Sequence, residues 1–327
     1  MYGGLFMEKD IKLVTILVPA YNEQEVLHML YERLKNIMDN LSSYRFEVLL
    51  VNDGSKDNTL TVMKELRSMD NRICYLNLSR NFGKETAMIA GLDYAKGDCV
   101  IIIDADLQDP PELIPDMLKL WEEGYDDVYA KRKSRKGESF LKKFTSKMYY
   151  KMLQSVTNIE IQKDTGDFRL LDRRCVEALK SIRESQRYTK GLFSWIGYNK
   201  KEILFDRDPR AAGKTKWNYG KLINLSIDGL TSFTTTPLRF AAVMGILVSL
   251  AGFIYMLAII IKTIIYGIDV PGYSSTMVVI LFLGGIQLIF LGVIGEYLGR
   301  TFNESKRRPI YFVERYNEEK ETNEKLN

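Results

Sequence analysis

The sequence predicts an α/β protein with a mostly parallel sheet domain, a juxtamembrane interfacial helix and a two-helix transmembrane hairpin. Short apolar runs alternate with helical patterns in the first half of the chain, polar residues follow the ends of those runs, and two long uncharged segments occupy the last third. Such alternation is typical of parallel strands joined by helices. We therefore predict a sheet domain at 1–219, the interfacial helix at 220–238, the hairpin at 239–299 and a charged tail at 300–327.

The elements of the sheet domain follow one another in a regular order. Helices are predicted from about Glu25, from Thr59, and from Lys84 to Ala95. The predicted strands are Val14 to Val18, Phe46 to Val51, Ile73 to Leu76, Cys99 to Ile103 and Asp127 to Ala130. Ligands of open parallel sheets bind beyond the carboxyl ends of the strands, so the polar loops after the first, second and fourth strands are expected to form one crevice.

Two segments are apolar enough to cross a bilayer. Phe240 to Ile261 and Met277 to Ile294 contain no charged residue, and we predict transmembrane helices at about 240–262 and 277–298. The alternative is a pair of buried helices in a soluble core. Basic residues lie before the first segment and after the second but not in the intervening 267–273, so the sheet domain and both termini are predicted to be cytoplasmic at the plasma membrane.

The flanking regions give weaker signals. Apolar residues recur at helical spacing between Leu222 and Phe233, which fits a helix on the membrane surface or one that faces a core. The tail past Pro309 is charged and is expected to be mobile. The N-terminal residues lack the apolar run of a secretory signal.

Composition excludes several kinds of chemistry. The formal net charge of +4 on 327 residues is too small to predict a nucleic-acid binder. His28 is the only histidine, so a histidine-rich zinc site is excluded and a Ser-His-Asp triad would have to use His28 itself. We expect His28 at the surface. Cys74, Cys99 and Cys175 lack metal-like spacing and are expected in the core. Catalysis must rely on carboxylates, cations and metal bound by oxygen.

The strongest chemical signal is a pair of acids at the end of a buried strand. Asp104 and Asp106 follow the apolar run that ends at Ile103, and side chains two residues apart on an extended strand point the same way. Both carboxylates can then face one Mg²⁺ or Mn²⁺ ion, which prefers oxygen ligands and shares them with substrate phosphates. Gln108 offers a further oxygen. By itself this pattern also fits a solvated turn.

Several motifs together resemble family 2 glycosyltransferases with the GT-A fold, a Rossmann-like architecture. The donor-binding motifs are Val18 to Glu23, Val51 to Ser55, and Asp104 to Asp106. Further motifs are similar to those of bacterial polyprenyl-phosphate glycosyltransferases, such as undecaprenyl-phosphate glucosyltransferases, which are relatives of dolichyl-phosphate mannose synthase: Asn77 to Lys84, Asp104 to Pro111, Thr165 to Leu170 and Gly295 to Arg300. The resemblance covers nearly the whole chain, and these positions show no departure from it.

The resemblance implies roles for individual residues. The implied donor-binding residues are Pro19, Tyr21, Glu23, Asp53, Lys84 and Asp104. The implied metal ligands are Asp104, Asp106 and Gln108, with Mg²⁺ or Mn²⁺ as the cofactor. Asp106 is also a catalytic candidate, and Asp167 is the candidate base beside the acceptor. A lipid monophosphate is largely ionised at neutral pH, since its second pKa is about 6, so Asp167 can orient the acceptor rather than deprotonate it. The alternative is an ion pair of Asp167 with Arg169 or Arg174.

Two basic groups are candidates for binding the acceptor phosphate. They comprise Arg132, Arg135, Arg210, Lys214 and Lys216. Arginine forks match phosphate oxygens, whereas the lysines fit anionic headgroups of the bilayer equally well. The stretch from Gly213 to Lys216 is also a candidate for a loop that closes over the donor.

The implied activity is an inverting transfer of a hexose from a nucleotide-sugar, with UDP-glucose favoured, to undecaprenyl or another polyprenyl phosphate. A processive polysaccharide synthase would need a Gln-x-x-Arg-Trp segment, which the chain lacks. A catalytically silent membrane scaffold is the other alternative. Gly284, Gly285 and Gly292 would permit close helix packing, and a homo-oligomer is expected. The sequence names neither the sugar nor the glycan that finally receives it.

Overall fold

The computed structural model describes residues 11–133, 162, 165–184, 187–206, 234–266, 272–317 and 319–320. Most of the predicted interfacial helix lies outside these residues, as do Arg135, Arg210, Lys214 and Lys216. Within the described part of the chain, nine strands form one sheet in the order β7-β5-β6-β4-β1-β2-β3-β8-β9. The strands are β1 Leu13–Ala20, β2 Arg45–Asn52, β3 Ile73–Leu78, β4 Cys99–Ile102, β5 Asp127–Arg132, β6 Thr165–Asp172, β7 Lys200–Phe205, β8 Val313–Tyr316 and β9 Glu319–Lys320.

Helices cover both faces of this sheet. They are α1 Leu27–Asn40, α2 Thr59–Met69, α3 Lys84–Tyr94, α4 Ile114–Glu122, α5 Arg173–Ser181 and α6 Thr189–Trp195. Helices α1, α2 and α4 contribute to the core on one face, and α3, α5 and α6 contribute to the core on the other. Because both faces are covered, seven of the eight residues of β1 and of β2 are buried. The predicted α/β fold is confirmed.

The centre of the sheet has the predicted strand direction, but its flank does not. Strands β4, β1, β2 and β3 are parallel, whereas β6 runs antiparallel to both β4 and β5. A buried ion pair lies on β6, where the Arg169 guanidinium is 3.0 Å from the Asp127 carboxylate of β5 and stacks 3.7 Å from the centre of the Phe193 ring. The pair gives an acceptor to Nη1 of a guanidinium with no exposed surface, whereas Arg169 Nε has no hydrogen-bond partner among the described residues.

Two long apolar helices follow the sheet domain. They are α7 Thr236–Tyr266 and α8 Tyr273–Ser305, and both are long and apolar enough to cross a membrane. Their apolar windows are not buried; for example, 70% of Leu288 is exposed. The alternative of two buried helices in a soluble core is therefore wrong. Leaving so much apolar surface in water would be unfavourable, so these helices indicate membrane association.

The expectation of a mobile tail past Pro309 is wrong for the residues that the structure describes. Strand β8 pairs antiparallel with β3, and Tyr311 is 2% exposed. The Tyr311 hydroxyl donates a hydrogen bond of 2.7 Å to Asp93 on α3. The high charge of the tail masked the apolar side chains of Tyr311 and Val313, which pack into the core on the α3 side.

Candidate functional site

The loops after β1 and β2 lie side by side and bind each other. The Asn22 backbone N–H donates to Ser55 Oγ at 3.0 Å, and Asn22 Oδ1 accepts from the Lys56 N–H at 2.8 Å. The Glu23 N–H donates to Thr59 Oγ1 at 2.9 Å. The predicted convergence of these loops follows from the parallel register of β1 and β2. Pro19 is buried on β1, and Tyr21 and Glu23 are partly exposed after it.

Asp53 shapes the next part of the site. Its carboxylate is 3% exposed and accepts hydrogen bonds from the N–H groups of Phe82, at 2.7 Å, and Gly83, at 2.9 Å. Burial raises the pKa of Asp53, although both backbone donors oppose that rise. Gly54 beside it has φ of +61°, and a Cβ there would lie 2.3 Å from the Arg80 carbonyl carbon. Asp53 therefore fixes the loop that leads into Lys84, and its predicted role in nucleoside binding stays a prediction.

Lys84 joins two of the predicted acids. Its Nζ lies 2.7 Å from Asp104 Oδ2 and 2.5 Å from Asp167 Oδ2. Burial would raise the pKa of Asp167, but the ammonium groups of Lys84 and Lys190 outweigh it and hold that pKa well below its usual range. Burial lowers the pKa of Lys84, while the two carboxylates raise it above its ordinary value. Lys84 and Asp167 are therefore ionised at neutral pH.

The alternative partners considered for Asp167 are engaged elsewhere. Arg169 pairs with Asp127, and Arg174 pairs with Asp126 and Asp172. The direct ionic contact of Asp167 is with Lys84. Its low pKa makes it a weak base, which favours an orienting role over proton abstraction.

The residues after β4 alternate between buried and partly exposed. Asp104, Asp106 and Gln108 are partly exposed, whereas the residues between them are buried. The Gln108 N–H donates to Asp106 Oδ1 at 3.2 Å. Strand β4 ends at Ile102, and Ala105 and Asp106 lie in a turn, so the extended backbone expected at Asp104 and Asp106 is wrong. The role of the three residues as metal ligands stays a prediction.

These oxygens suit a divalent cation that takes its remaining ligands from a substrate. Among the described residues, no group of three or more acidic, histidine or cysteine side chains is gathered closely enough to hold a metal alone. The Asp167 Oδ1 atom is buried and, within the described residues, accepts no hydrogen bond. Hard oxygen donors in this number fit Mg²⁺ or Mn²⁺ bound partly by phosphates. The chemistry of the donor set fits the implied cofactor.

Glu85 is a member of this site that the sequence did not reveal. Its Oε2 accepts a hydrogen bond from the Thr189 N–H at the start of α6, at 3.2 Å. Burial, and then the negative charge of Asp167, raise the pKa of Glu85 to about 7, against the lowering effect of Lys84 and Lys190. The one sequence signal that could have indicated Glu85 is its position directly after Lys84, a lysine expected at the donor site.

The raised pKa of Glu85 predicts a pH-dependent loss of stability. A carboxyl whose pKa is higher in the folded state makes its full contribution to the stability of the fold below its unfolded pKa, near 4.5. That contribution is lost as the pH rises through the folded pKa of about 7. From about pH 5 to about pH 8, the free energy of unfolding should fall by about 1 to 2 kcal/mol more in the wild type than in Glu85→Gln.

Denaturant unfolding of both proteins in detergent micelles measures this difference, with exposed Glu65→Gln as the matched control. Parallel pH profiles for the wild type and Glu85→Gln would contradict the prediction.

Of the residues predicted to bind the acceptor phosphate, the structure describes Arg132 alone. Arg132 ends β5 and is paired in register with Phe205 of β7. Arg135, Arg210, Lys214 and Lys216 belong to segments that the structure does not describe. His28 is exposed as predicted, and Cys99 and Cys175 are buried as predicted, while Cys74 is partly buried.

Comparisons with known proteins match both parts of the chain. Residues 15–180 match the model described as glycosyl transferase family 2, and residues 236–301 match the GtrB C-terminal hairpin. The uncharacterized glycosyltransferase YkcC of Bacillus subtilis is 46% identical, with 92% of this chain and 93% of that protein covered.

Other relatives carry a more specific name. A prophage bactoprenol glucosyl transferase homolog of Escherichia coli K12 is 44% identical, over 92% of this chain and 98% of its own. The bactoprenol glucosyl transferase of Shigella phage SfV is 42% identical, over 92% and 97%. Among solved structures, mannosyl-3-phosphoglycerate synthase from Rubrobacter xylanophilus is similar with a TM-score of 0.44 and 17% identity, over 66% of this chain and 71% of that chain. Similarity this distant does not bear on activity.

Proposed function

Because this chain belongs to glycosyl transferase family 2, we propose that it transfers a hexose from a nucleotide-sugar to undecaprenyl or another polyprenyl phosphate. UDP-glucose or another UDP-hexose is the proposed donor. The product is a lipid-linked monosaccharide for glycosylation of the cell envelope. One observation carries the proposal: Asp104, Lys84 and Asp167 meet beyond the carboxyl ends of the central strands, in a chain whose last third matches the GtrB C-terminal hairpin.

The proposed reaction forms one bond and breaks one bond. An oxygen of the lipid phosphate attacks the anomeric carbon with inversion, and the bond from that carbon to the diphosphate oxygen breaks with its electron pair on the departing nucleoside diphosphate. Asp104, Asp106 and Gln108 would hold Mg²⁺ or Mn²⁺, which supplies charge neutralisation on the diphosphate when bound. Asp167 holds the acceptor in line rather than taking a proton, because its pKa is low and the phosphate is already ionised.

The hairpin supports a location at the plasma membrane. We propose that α7 and α8 cross the bilayer, that the sheet domain and both termini are cytoplasmic, and that the chain forms a homo-oligomer. Basic residues near the cytoplasmic ends support this orientation. Arg132, together with Arg135, Arg210, Lys214 and Lys216, is the proposed binding surface for the acceptor phosphate.

A transfer assay with defined substrates tests the proposal. Full-length protein in detergent is incubated with undecaprenyl phosphate, MgCl₂ or MnCl₂ and a panel of radiolabelled nucleotide-sugars, and lipid-extracted label is measured. We expect label in the lipid phase with a UDP-hexose, and none when the metal is chelated. Labelled polymer instead of a single lipid-linked sugar would support a processive synthase, and no transfer from any donor would support a silent scaffold.

A further inference from the structure

The strand that follows the membrane hairpin is firmly held beside the donor-site strands. The Ser79 N–H donates to the Phe312 carbonyl at 3.0 Å, and the Asn317 N–H donates to the Tyr75 carbonyl at 3.1 Å. These bonds flank β8 at both ends. Asp93 anchors the segment a second time, because it accepts from Tyr311 and from the Arg183 guanidinium.

A chain of side-chain amides runs from β8 towards the donor loops. Glu314 Oε2 accepts from Asn77 Nδ2 at 2.8 Å, and Asn77 Oδ1 accepts from Asn52 Nδ2 at 2.6 Å. Asn52 Oδ1 then accepts from the backbone N–H of Ser55 at 3.2 Å. Asn77 and Asn52 are neighbours in register at the ends of β3 and β2. Their side chains are buried, at 4% and 2% exposed, so the chain is shielded from solvent between its two ends.

The acid at one end gives this chain its direction. An amide can turn over and exchange its donor and acceptor ends, whereas a carboxylate only accepts hydrogen bonds. Glu314 therefore requires the NH₂ group of Asn77 to point outward, which turns its carbonyl towards the NH₂ group of Asn52. The carbonyl of Asn52 is then aimed at the Ser55 N–H. Reversal of either amide would set two NH₂ groups or two carbonyls against each other, at a cost of about 1 to 3 kcal/mol for each buried group left unpaired.

The chain of side-chain amides ends at the loop after β2, which is hydrogen-bonded to the loop after β1. Ser55 Oγ accepts the Asn22 N–H, and the Asn22 backbone has φ of 54°, in the left-handed region that asparagine adopts more readily than most residues. The position of Ser55 therefore sets the position of the segment from Tyr21 to Glu23. A charge on β8 thus acts on both loops of the proposed nucleoside pocket.

We propose that Glu314 is a positioning residue for the nucleotide-sugar donor, acting through Asn77 and Asn52 on the Ser55 loop. The inference rests on the proposed function and deepens it, because it makes the strand after the membrane hairpin part of the donor site. Loss of the carboxylate leaves the donor-only Ser55 N–H to fix the direction of the amides from one end instead of two, so the Asn77 and Asn52 side chains and the Ser55 loop are held less firmly. A glutamine at this position can still present a carbonyl to Asn77 and retains the direction.

Binding of UDP to the full-length chain tests this role without requiring turnover. Isothermal titration in detergent with UDP and MgCl₂ is carried out on the wild type, Glu314→Ala, Glu314→Gln and the exposed control Glu32→Ala. We expect Glu314→Ala to weaken UDP binding by about three- to tenfold, with an unchanged thermal midpoint in the absence of UDP. Glu314→Gln and Glu32→Ala should stay within about twofold of the wild type.

A double-substitution cycle separates the amide chain from a local effect of charge. If the effect travels through Asn77, adding Glu314→Ala to Asn77→Ala should weaken binding no further. Additive losses would overturn the inference, as would equal UDP binding by the wild type and Glu314→Ala. Absence of UDP binding by the wild type would instead overturn the proposed donor, and this inference with it.

Discussion

Asp106→Ala is expected to lower the rate of sugar transfer to undecaprenyl phosphate by about 10³-fold. Asp106 and Asp104 are both partly exposed after β4, and both carboxylates are proposed to hold a divalent ion on the donor diphosphate. With one carboxylate left, charge on the departing diphosphate is poorly neutralised. The loss should appear chiefly in kcat, because this charge grows as the bond to the sugar breaks.

A charge-matched control makes the Asp106 result specific. Asp116 is exposed on α4 and pairs with Lys119, so Asp116→Ala removes the same charge away from the site and should retain activity. Initial rates at saturating donor and acceptor, together with the concentration of MnCl₂ needed for half-maximal rate, are the measurements. Transfer by Asp106→Ala at the wild-type rate, with an unchanged metal requirement, would rule out the proposed metal site.

Lys84→Met is expected to lower kcat by about 10²-fold and to introduce a new dependence of the rate on pH. In the wild type the ammonium lies between Asp104 and Asp167 and holds the pKa of Asp167 low. Without it, two carboxylates share one site with no cation between them, so the pKa of at least one of them rises. The residual rate of Lys84→Met should therefore fall as the pH is lowered towards about 5. The wild-type rate should not fall for this reason, because its Asp167 stays ionised at that pH.

The comparison variants for this prediction are Lys84→Arg, which retains the positive charge, and Lys119→Met on the exposed face of α4. Lys119→Met should behave as the wild type, and Lys84→Arg should retain the flat pH profile even if its rate falls. Rates measured from about pH 5 to about pH 8 give the profiles. A Lys84→Met enzyme with a wild-type rate and a flat profile would show that the ion bridge has no part in transfer.

The sequence predicted the centre of the fold because the pattern there is local. Buried parallel strands such as β1 and β2 appear in the sequence as continuous apolar runs. The polar residues in the loops directly after these strands come together because the strands are parallel neighbours. The same holds for α7 and α8, whose length and long uncharged stretches are properties of the segment alone. The expectation of an extended backbone through Asp104 and Asp106 was wrong, because β4 ends at Ile102 and the chain turns there, which the apolar run before the acids does not reveal.

Residue pairings between distant segments were decided only by the tertiary structure. The antiparallel strand β6 places Arg169 opposite Ile102 of β4. Two residues further along the same register, Asp167 comes opposite Asp104. A parallel strand would not bring these two residues together. The hydrogen bond of the partly buried Glu85 carboxyl to α6 and the return of β8 to the sheet also arise from contacts across the chain. Periodicity reports which face of a segment is buried, but strand order, strand direction and the partners of each charge depend on how the segments pack.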